Sequence, residues 1–414
     1  MQTLTTLQAI RLQINAFFAE VEKLKGSEFP YLHSKNALEC VESHFRKYDG
    51  YIRSLDARSD PAVVASACNA AHVTLSSLLP LLGFILRSTN IRNAFEVYGP
   101  LLRLARAVVD PDCKLLVSSE WDFVPFTFIG YRPLPNYVLI GLPATESANP
   151  FLVPLAGHEL GHSIWDSHLL ENEYRTSLET NIIKAIKGNW IEYHALFPDS
   201  KEDELESFIL ARLTWQPAWI WAMRQIEESF CDFVGLFIFG EAYLHAFVYF
   251  LSAVRSGPRS IFYPNTKSRV HALVDAANQY RYETPQNFSN QFEDLEEPSD
   301  QEKNKKFLLH IADEARQSLI KETIDRVENL LESFGVEKRS TEKVDECRDL
   351  FSKLVPSSNA ASLANILNGA WKALLDPDLW KDADMNDRKE YLLTEIVLKA
   401  IEVLEIEERL AKPL

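Results

Sequence analysis

Residues 155–165, which read LAGHELGHSIW, constrain this chain more than any other stretch. They place His158 and His162 four residues apart, with Glu159 directly after the first histidine. On an α-helix, positions four apart differ by about 40° around the axis and by one turn along it, so both imidazoles project from one face. Two imidazoles at that spacing can share a metal ion, and the glutamate beside them can take a proton from a water molecule. The stretch therefore predicts a helix that carries a metal site.

The HExxH pattern of this stretch resembles the zinc-binding motif of the zincin metallopeptidases. The β-rich apolar run 137–142 precedes the motif, and it is followed by a turn-like segment and by Pro154, which suits a first helical turn. Zincins build their active-site cleft from a strand, a loop and the motif helix in this order. The resemblance implies that His158 and His162 bind one zinc ion and that Glu159 is the general base.

A catalytic zinc ion usually has three protein ligands, so one ligand is still missing. His168 has the ligand spacing of the metzincin pattern HExxHxxGxxH, but Trp165 stands where that pattern has glycine. Glycine lets the chain leave the helix with a backbone angle that a bulky aromatic residue adopts only with strain. If the helix runs on instead, His168 lies about 240° around the axis from His162 and faces away.

Glu228 and Asp232 offer an alternative, because they are also four residues apart and share one face of a helix expected after Pro217. This spacing resembles the ExxxD element of the gluzincins, in which the glutamate is the third zinc ligand and the aspartate accepts a hydrogen bond from a ligand histidine. Such a bond fixes the tautomer of the imidazole ring. The run after Asp232 is almost wholly apolar, so a carboxylate that enters it needs a partner. We favour Glu228 over His168 as the third ligand.

Residues 261–271 offer candidates for stabilising an oxyanion. They resemble a weakened form of the HPPxxxRI-like element that some gluzincin-like intramembrane and bacterial peptidases carry at a similar place, although its first histidine is absent. Tyr263, Arg269 or His271 could donate a hydrogen bond or charge to the oxyanion that forms when a carbonyl is attacked. An arginine at this position could equally be a structural ion-pair partner.

Charge and cysteine content narrow the class of protein. The 414 residues carry a net charge of −16, which argues against sequence-independent binding to nucleic acid and against docking on anionic membranes. We see no signal peptide, and the apolar runs are too short or too interrupted by polar residues to span a bilayer. An odd, widely spaced set of cysteines predicts reduced thiols in the cytoplasm: Cys40, Cys68, Cys113, Cys231 and Cys347.

Periodicity divides the chain into regions. Residues 1–110 show helical spacing of apolar residues, including a helical hairpin and further helices at 61–87 and 90–109. Short β-like runs at 113–118, 123–129 and 137–142 predict a small, mostly antiparallel sheet. The expected organisation is an N-terminal helical region (1–110), a zincin-like core (111–285), an acidic linker (286–306) and a C-terminal helical region (307–414). The fold class is mainly α, with an α+β core.

The function that follows is a gluzincin-type zinc metallopeptidase, with a peptide or protein as its substrate. The helical flanks could in addition bind a regulatory protein partner. The alternative is a catalytically idle zinc-binding helical scaffold or partner-binding protein. The intact Glu159 favours the enzyme, because a purely structural zinc site has no use for a base and is more often closed by four cysteine or histidine ligands.

Overall fold

The chain is mainly helical in the computed structural model. This structure describes residues 5–29, 31–56, 58–88, 95–121, 126–127, 133–146, 148–206, 209–252, 257–380 and 388–411. Its helices are α1 (Thr6–Lys25), α2 (Leu32–Ser54), α3 (Pro61–Arg87), α4 (Phe95–Val108), α5 (Ala156–Ser167), α6 (Glu171–Gly188), α7 (Trp190–Leu196), α8 (Ile209–Phe239), α9 (Glu241–Leu251), α10 (Thr266–Tyr280), α11 (Lys303–Gln317), α12 (Ile320–Ser333), α13 (Thr341–Phe351), α14 (Leu363–Leu375) and α15 (Lys389–Ala411). The expected mainly α fold class is confirmed at this level.

The chain forms two compact units. One comprises residues 1–106 and 111–148, and the other comprises residues 107–110 and 149–414. The zincin-like core expected at 111–285 thus includes parts of both units. The sheet belongs to the first unit, whereas the helix with the two histidines belongs to the second.

The first unit opens with the expected helical hairpin. Its two helices bury most of the apolar residues that recur with helical spacing, and the Phe17 and Phe45 rings meet at a centroid distance of 4.8 Å. The Arg11 guanidinium near the start of α1 donates to the Leu55 carbonyl at the end of α2 (2.6 Å), so the two helices are antiparallel. Pro30, in the connection between them, lies outside the described residues.

The helix α3 has the bounds expected from the sequence and contains Pro80 on its exposed side. By length and composition alone it could cross a membrane, since its most apolar window has a mean hydropathy of 1.5. Its buried residues pack against α1, α2 and the sheet of the same unit. The core helix of a domain in water can have the same length and composition. The hydropathy of α3 therefore gives no evidence for or against a place in a membrane. Of the helix expected at 90–109, residues 90–94 lie outside the described residues.

The sheet differs from the expectation. Its strands are β1 (Lys114–Glu120), β2 (Phe126–Thr127) and β3 (Tyr137–Pro143), in the order β1-β3-β2. The long pairing, from Lys114 opposite Tyr137 to Glu120 opposite Pro143, is parallel, and only the short β2–β3 pairing is antiparallel. The expectation of a mostly antiparallel sheet was therefore wrong. Both long strands are buried at six successive residues, and such continuous burial is typical of parallel strands. Of the run at 123–129, only residues 126–127 are described.

The second unit is built around α8. Residues 225–239 of this helix are buried without interruption, so the helix lies in the core on all its sides. It packs against α5, α6, α9, α10, α11, α12 and α14. Acidic residues inside such a helix are desolvated and need partners. The partners of Glu227, Glu228 and Asp232 define the candidate site.

The segment expected as an acidic linker, 286–306, is part of the second unit and packs within it. Phe288 and Phe292 are buried, and their rings contact Phe247 of α9 at centroid distances of 6.3 and 5.4 Å. A backbone bridge between Pro258 and Glu296 holds the segment beside the chain that leads to α10. These aromatic residues hold an otherwise acidic and polar stretch against the core.

Candidate metal centre

The helix α5 carries both histidines. A 3-10 helix, Pro150–Leu155, leads directly into it, and the Asn149 side chain caps this entry by accepting from the Phe151 N–H (3.0 Å). His158 and His162 then lie one turn apart, with ring centroids separated by 5.0 Å. Their side chains are mostly buried at 12% exposure. The expected pairing of the two imidazoles on one helix face is therefore present.

Glu228 of α8 faces both rings. One of its carboxylate oxygens, Oε2, lies 3.3 Å from Nε2 of His158, and the other, Oε1, lies 3.7 Å from Nε2 of His162. Two ligand atoms on a tetrahedral zinc ion are about 3.3 Å apart when each bond is about 2.0–2.1 Å. Oε2 of Glu228 is also buried, and its only polar neighbour among the described residues is Nε2 of His158. These observations fit a metal ion held by the two imidazoles and this carboxylate.

The other nitrogen of each ring is occupied by a carboxylate. Nδ1 of His158 lies 3.0 Å from Oδ1 of Asp232, and Nδ1 of His162 lies 2.9 Å from Oε1 of Glu227. A carboxylate can only accept, so Nδ1 donates in each pair and Nε2 of a neutral ring keeps its lone pair. Both rings are thus oriented with Nε2 toward Glu228. This is the arrangement in which a carboxylate increases the basicity of a metal-binding imidazole.

Glu227 is the site residue that the sequence analysis missed. It is 3% exposed, and its second oxygen accepts from Nη1 of Arg224 at 2.6 Å. The available signal was a second acidic residue directly before Glu228 in a helix that becomes wholly apolar a few residues later. That signal does not select a partner, since Glu227 lies about 100° around α8 from Glu228.

Two side chains besides His158 hold Asp232 through three hydrogen bonds. Arg269 donates from Nε to Oδ2 (2.5 Å) and from Nη2 to Oδ1 (2.7 Å), and the Tyr243 hydroxyl donates to Oδ1 (2.7 Å). Burial would raise the pKa of Asp232, but the Arg269 guanidinium and the His158 ring lower it well below its usual range. Asp232 is therefore a fixed anion that orients His158.

Acidic neighbours also act on the His158 ring. Burial lowers the pKa of His158, but the hydrogen bonds and negative charges of Asp232 and Glu228 raise it to about 10. Only the neutral ring is a metal ligand, so a metal ion that binds here has to displace a proton from a charged ring.

Glu159 is buried next to the two rings at 5% exposure. Burial raises its pKa above the usual range, against the opposing effect of His158 and His162. Glu159 directly follows His158 in α5, and the charges of both histidines and of Glu228 act on its carboxyl. It contributes neither of the two oxygens that face the Nε2 atoms, so it is available as a base.

Cys231 is a second candidate for the third ligand, since its sulfur lies within 4.8 Å of one nitrogen of each histidine. Burial, together with the charges of Glu228 and other acidic neighbours, raises the pKa of the Cys231 thiol well above its usual value. Its sulfur packs against Gly161, at the crossing of α5 and α8. The Glu228 oxygens, by contrast, lie 3.3 and 3.7 Å from the Nε2 atoms of the two histidines, which favours Glu228 as the third ligand.

Gly161 allows that crossing to be close. A Cβ atom added to it would lie 2.6 Å from Cα of Cys231 and 2.9 Å from its Cβ. Alanine usually stabilises a helix by about 1 kcal/mol relative to glycine, but here it would meet backbone that cannot move aside. We expect Gly161→Ala to lower the free energy of unfolding by about 1–3 kcal/mol in urea denaturation.

Gly188 provides the control, because an added Cβ would have nothing within 4 Å at this end of α6. Gly188→Ala should leave stability unchanged or slightly higher. Equal stability of the Gly161 and Gly188 variants would mean that α5 and α8 do not cross this closely.

His168 is not part of the centre. The helix α5 continues through Trp165 to Ser167, as predicted, and the Trp165 ring stacks on Tyr174 at 5.4 Å. Nε2 of His168 pairs with the Val108 carbonyl (3.3 Å), and its ring packs on Phe334. The structure thus favours the glutamate over this histidine as the third ligand.

The three oxyanion candidates have different surroundings. Arg269 is the ion-pair partner of Asp232, and its guanidinium lies between the Phe247 and Tyr263 rings at 5.1 and 5.5 Å. His271 is exposed on α10, about 200° around that helix from Arg269. Tyr263 is 41% exposed, and the charge of Glu228, followed by burial, raises its pKa to about 12. Tyr263 is therefore the candidate with both access to solvent and a position near the centre.

No family model, no curated protein and no solved structure matches this chain.

Proposed function

We propose that this protein is a zinc-dependent metallopeptidase of the gluzincin type. The observation that carries the proposal is the position of the Glu228 carboxylate against both rings: Oε2 lies 3.3 Å from Nε2 of His158, and Oε1 lies 3.7 Å from Nε2 of His162. One imidazole pair and one carboxylate are a typical donor set for catalytic zinc. When bound, zinc would polarise a peptide carbonyl and lower the pKa of a water molecule.

The remaining residues of the site have roles that follow from their positions. Glu159 accepts a proton from water and returns it to the leaving amine, since it is a buried carboxylate beside the ligands that makes none of the ligand contacts. The Tyr263 hydroxyl donates to the oxyanion that forms on the substrate carbonyl. Asp232 and Glu227 hold the two rings in position.

The substrate class is a peptide or protein, and we place the enzyme in the cytoplasm. None of the five cysteines, all of which lie in described parts of the chain, forms a disulfide, in keeping with a reducing compartment. We also propose that the helical flanks bind a regulatory protein partner.

The test of this function joins a metal assay to a cleavage assay. Purified protein should contain about one zinc ion per chain and should cleave members of an unbiased peptide library, with activity lost on chelation and restored by zinc. Protein that binds zinc but cleaves no peptide would indicate the idle scaffold instead. Protein that does not bind zinc would overturn both.

A paired substitution tests the third ligand. Loss of a side chain that only orients a metal ligand usually lowers metal affinity by about 10–100-fold. Glu228→Ala removes a proposed ligand itself and should lower zinc affinity by more than this. Cys231→Ser is a change of similar size in the same helix and should retain zinc, because the sulfur packs on Gly161 at the crossing of α5 and α8. Zinc titration against a competing chelator measures both. Loss of zinc in the cysteine variant alone would assign the ligand to Cys231.

A further inference from the structure

The N-terminal half of α8 carries apolar side chains that face solvent. Leu210 and Leu213 are each 58% exposed, and Ile220 is 42% exposed. Pro217 and Trp221, on the turns between and beside them, are half-buried. We refer to these five residues as the α8 stripe. Contiguous apolar residues that stay in contact with water on one part of a surface are typical of binding sites.

The α8 stripe lies on the side of the helix that carries Glu228. At 100° per residue, its five members lie within about 80° of Glu228 around the helix axis. Trp215 lies about 140° from Glu228 and is buried, and its Nε1 donates to the Leu205 carbonyl (3.2 Å). The opposite side of α8 therefore packs within the protein, whereas the side with the candidate third ligand emerges into solvent as an apolar surface.

The α8 stripe is continuous with the candidate metal centre along the helix. At 1.5 Å per residue, Trp221 lies about 10 Å and Leu210 about 27 Å from Glu228 along the axis. Arg224 lies between them, with its exposed guanidinium bound to Glu227 (2.6 Å). An extended peptide advances about 3.3 Å per residue. The stripe thus spans positions about three to eight residues away from a peptide bond that lies at the centre.

Charge and backbone geometry narrow the kind of partner. Residues 209–226 contain no acidic residue and two arginines, in a chain with a net charge of −16. This part of α8 therefore does not attract a basic peptide, and its exposed leucines favour an apolar one. A peptide bond inside a helix has its carbonyl hydrogen-bonded within that helix, so the segment at the centre has to be extended.

We propose that the α8 stripe binds apolar side chains of an extended peptide substrate on one side of the bond to be cleaved. The inference rests on the proposed peptidase function and names the substrate class. The substrates are peptides long enough to reach from the centre to the stripe, with apolar residues about three to eight positions from the scissile bond.

Peptide binding to the full-length Glu159→Gln variant tests the stripe without hydrolysis. One probe is a fluorescein-labelled peptide of about 12 residues, built from serine and glycine with three leucines, and the other has asparagine in place of each leucine. We expect the leucine peptide to bind at least about 10-fold more tightly in fluorescence anisotropy, because its side chains and the stripe leave water together. Equal affinities of the two peptides would overturn the proposal.

A matched set of variants in the same background locates the binding. Leu210→Asp combined with Leu213→Asp should lower the affinity for the leucine peptide by at least about 10-fold. Ile191→Asp is the control, because Ile191 is 89% exposed but lies on α7, and this change should leave the affinity unchanged. Equal affinities of the double variant and the control would place the peptide elsewhere.

Gel filtration tests the other occupant that such a surface could have, a second copy of this chain. A wild-type dimer that the double leucine variant dissociates, together with no preference for the leucine peptide, would assign the stripe to self-association and overturn the proposal. A wild type and a double variant of equal size, with the expected difference in peptide affinity, would support it.

Cleavage positions separate this inference from the proposed function. In library products identified by mass spectrometry, apolar residues should be enriched about three to eight positions to one side of the cleaved bond. Cleavage without this enrichment would overturn the inference and leave the peptidase function standing. Stripe-dependent binding of the leucine peptide, with no hydrolysis by the zinc-loaded wild type, would support the stripe as a peptide-binding surface and overturn the peptidase function.

Discussion

Alanine in place of His158 or His162 will remove the zinc ion from the purified protein. In the proposed site each imidazole supplies one of three ligands, with Glu228 as the third, and two remaining ligands would not hold zinc against water and competing chelators. The loss of affinity should exceed the about 10–100-fold that accompanies loss of an orienting carboxylate. Metal content after gel filtration and competition with a zinc-binding dye measure the effect.

His168→Ala is the control for these variants. It removes a histidine from the end of the same helix, but one whose ring pairs with the Val108 carbonyl and packs on Phe334. Zinc content should stay at about one per chain. A loss of zinc in this variant, with zinc retained in His162→Ala, would require a different ligand set and a chain that turns at Trp165.

Glu159→Gln will keep zinc and fold but will lose peptide hydrolysis. The amide has the shape of the carboxyl group but cannot accept a proton from water at neutral pH. General-base catalysis contributes about 10²–10⁴-fold, so kcat on a peptide found in the library should fall by at least about 100-fold. Zinc content and circular dichroism should match those of the wild type, because Glu159 makes none of the ligand contacts.

Asp166→Asn provides a matched acid-to-amide change on the same helix. Asp166 is exposed near the end of α5, and the variant should cleave the same peptide at the wild-type rate. If Glu159→Gln also cleaved at that rate, with its zinc intact, another group would have to be the base.

Some features followed from local sequence alone. The HExxH spacing sets two imidazoles on one side of a helix whatever surrounds it, because the helical repeat is local. The stripes of α1 and α2 and the bounds of α3 followed from the same periodicity and are confirmed. Trp165 indicated a helix that continues past the motif, and α5 does so.

Other features depended on contacts between distant parts of the chain. The runs 115–117 and 138–140 are apolar at every position, a pattern that fits parallel strands, yet no local signal gives the pairing. β3 pairs with β1 in parallel and with β2 in antiparallel fashion. The segment 286–306 has the composition of a linker, but Phe288 and Phe292 find a place in the core beside Phe247.

By itself, the sequence determined the helix that carries the candidate metal centre, and the spacing of Glu228 and Asp232 selected them as further residues of that centre. Tertiary structure alone decided that Glu227 orients His162 and that Arg269 pairs with Asp232. The physical reason is the range of the interactions. Spacing within one helix is set by its own backbone, whereas the partner of a buried charge is set by which helices pack around α8 and at what distance.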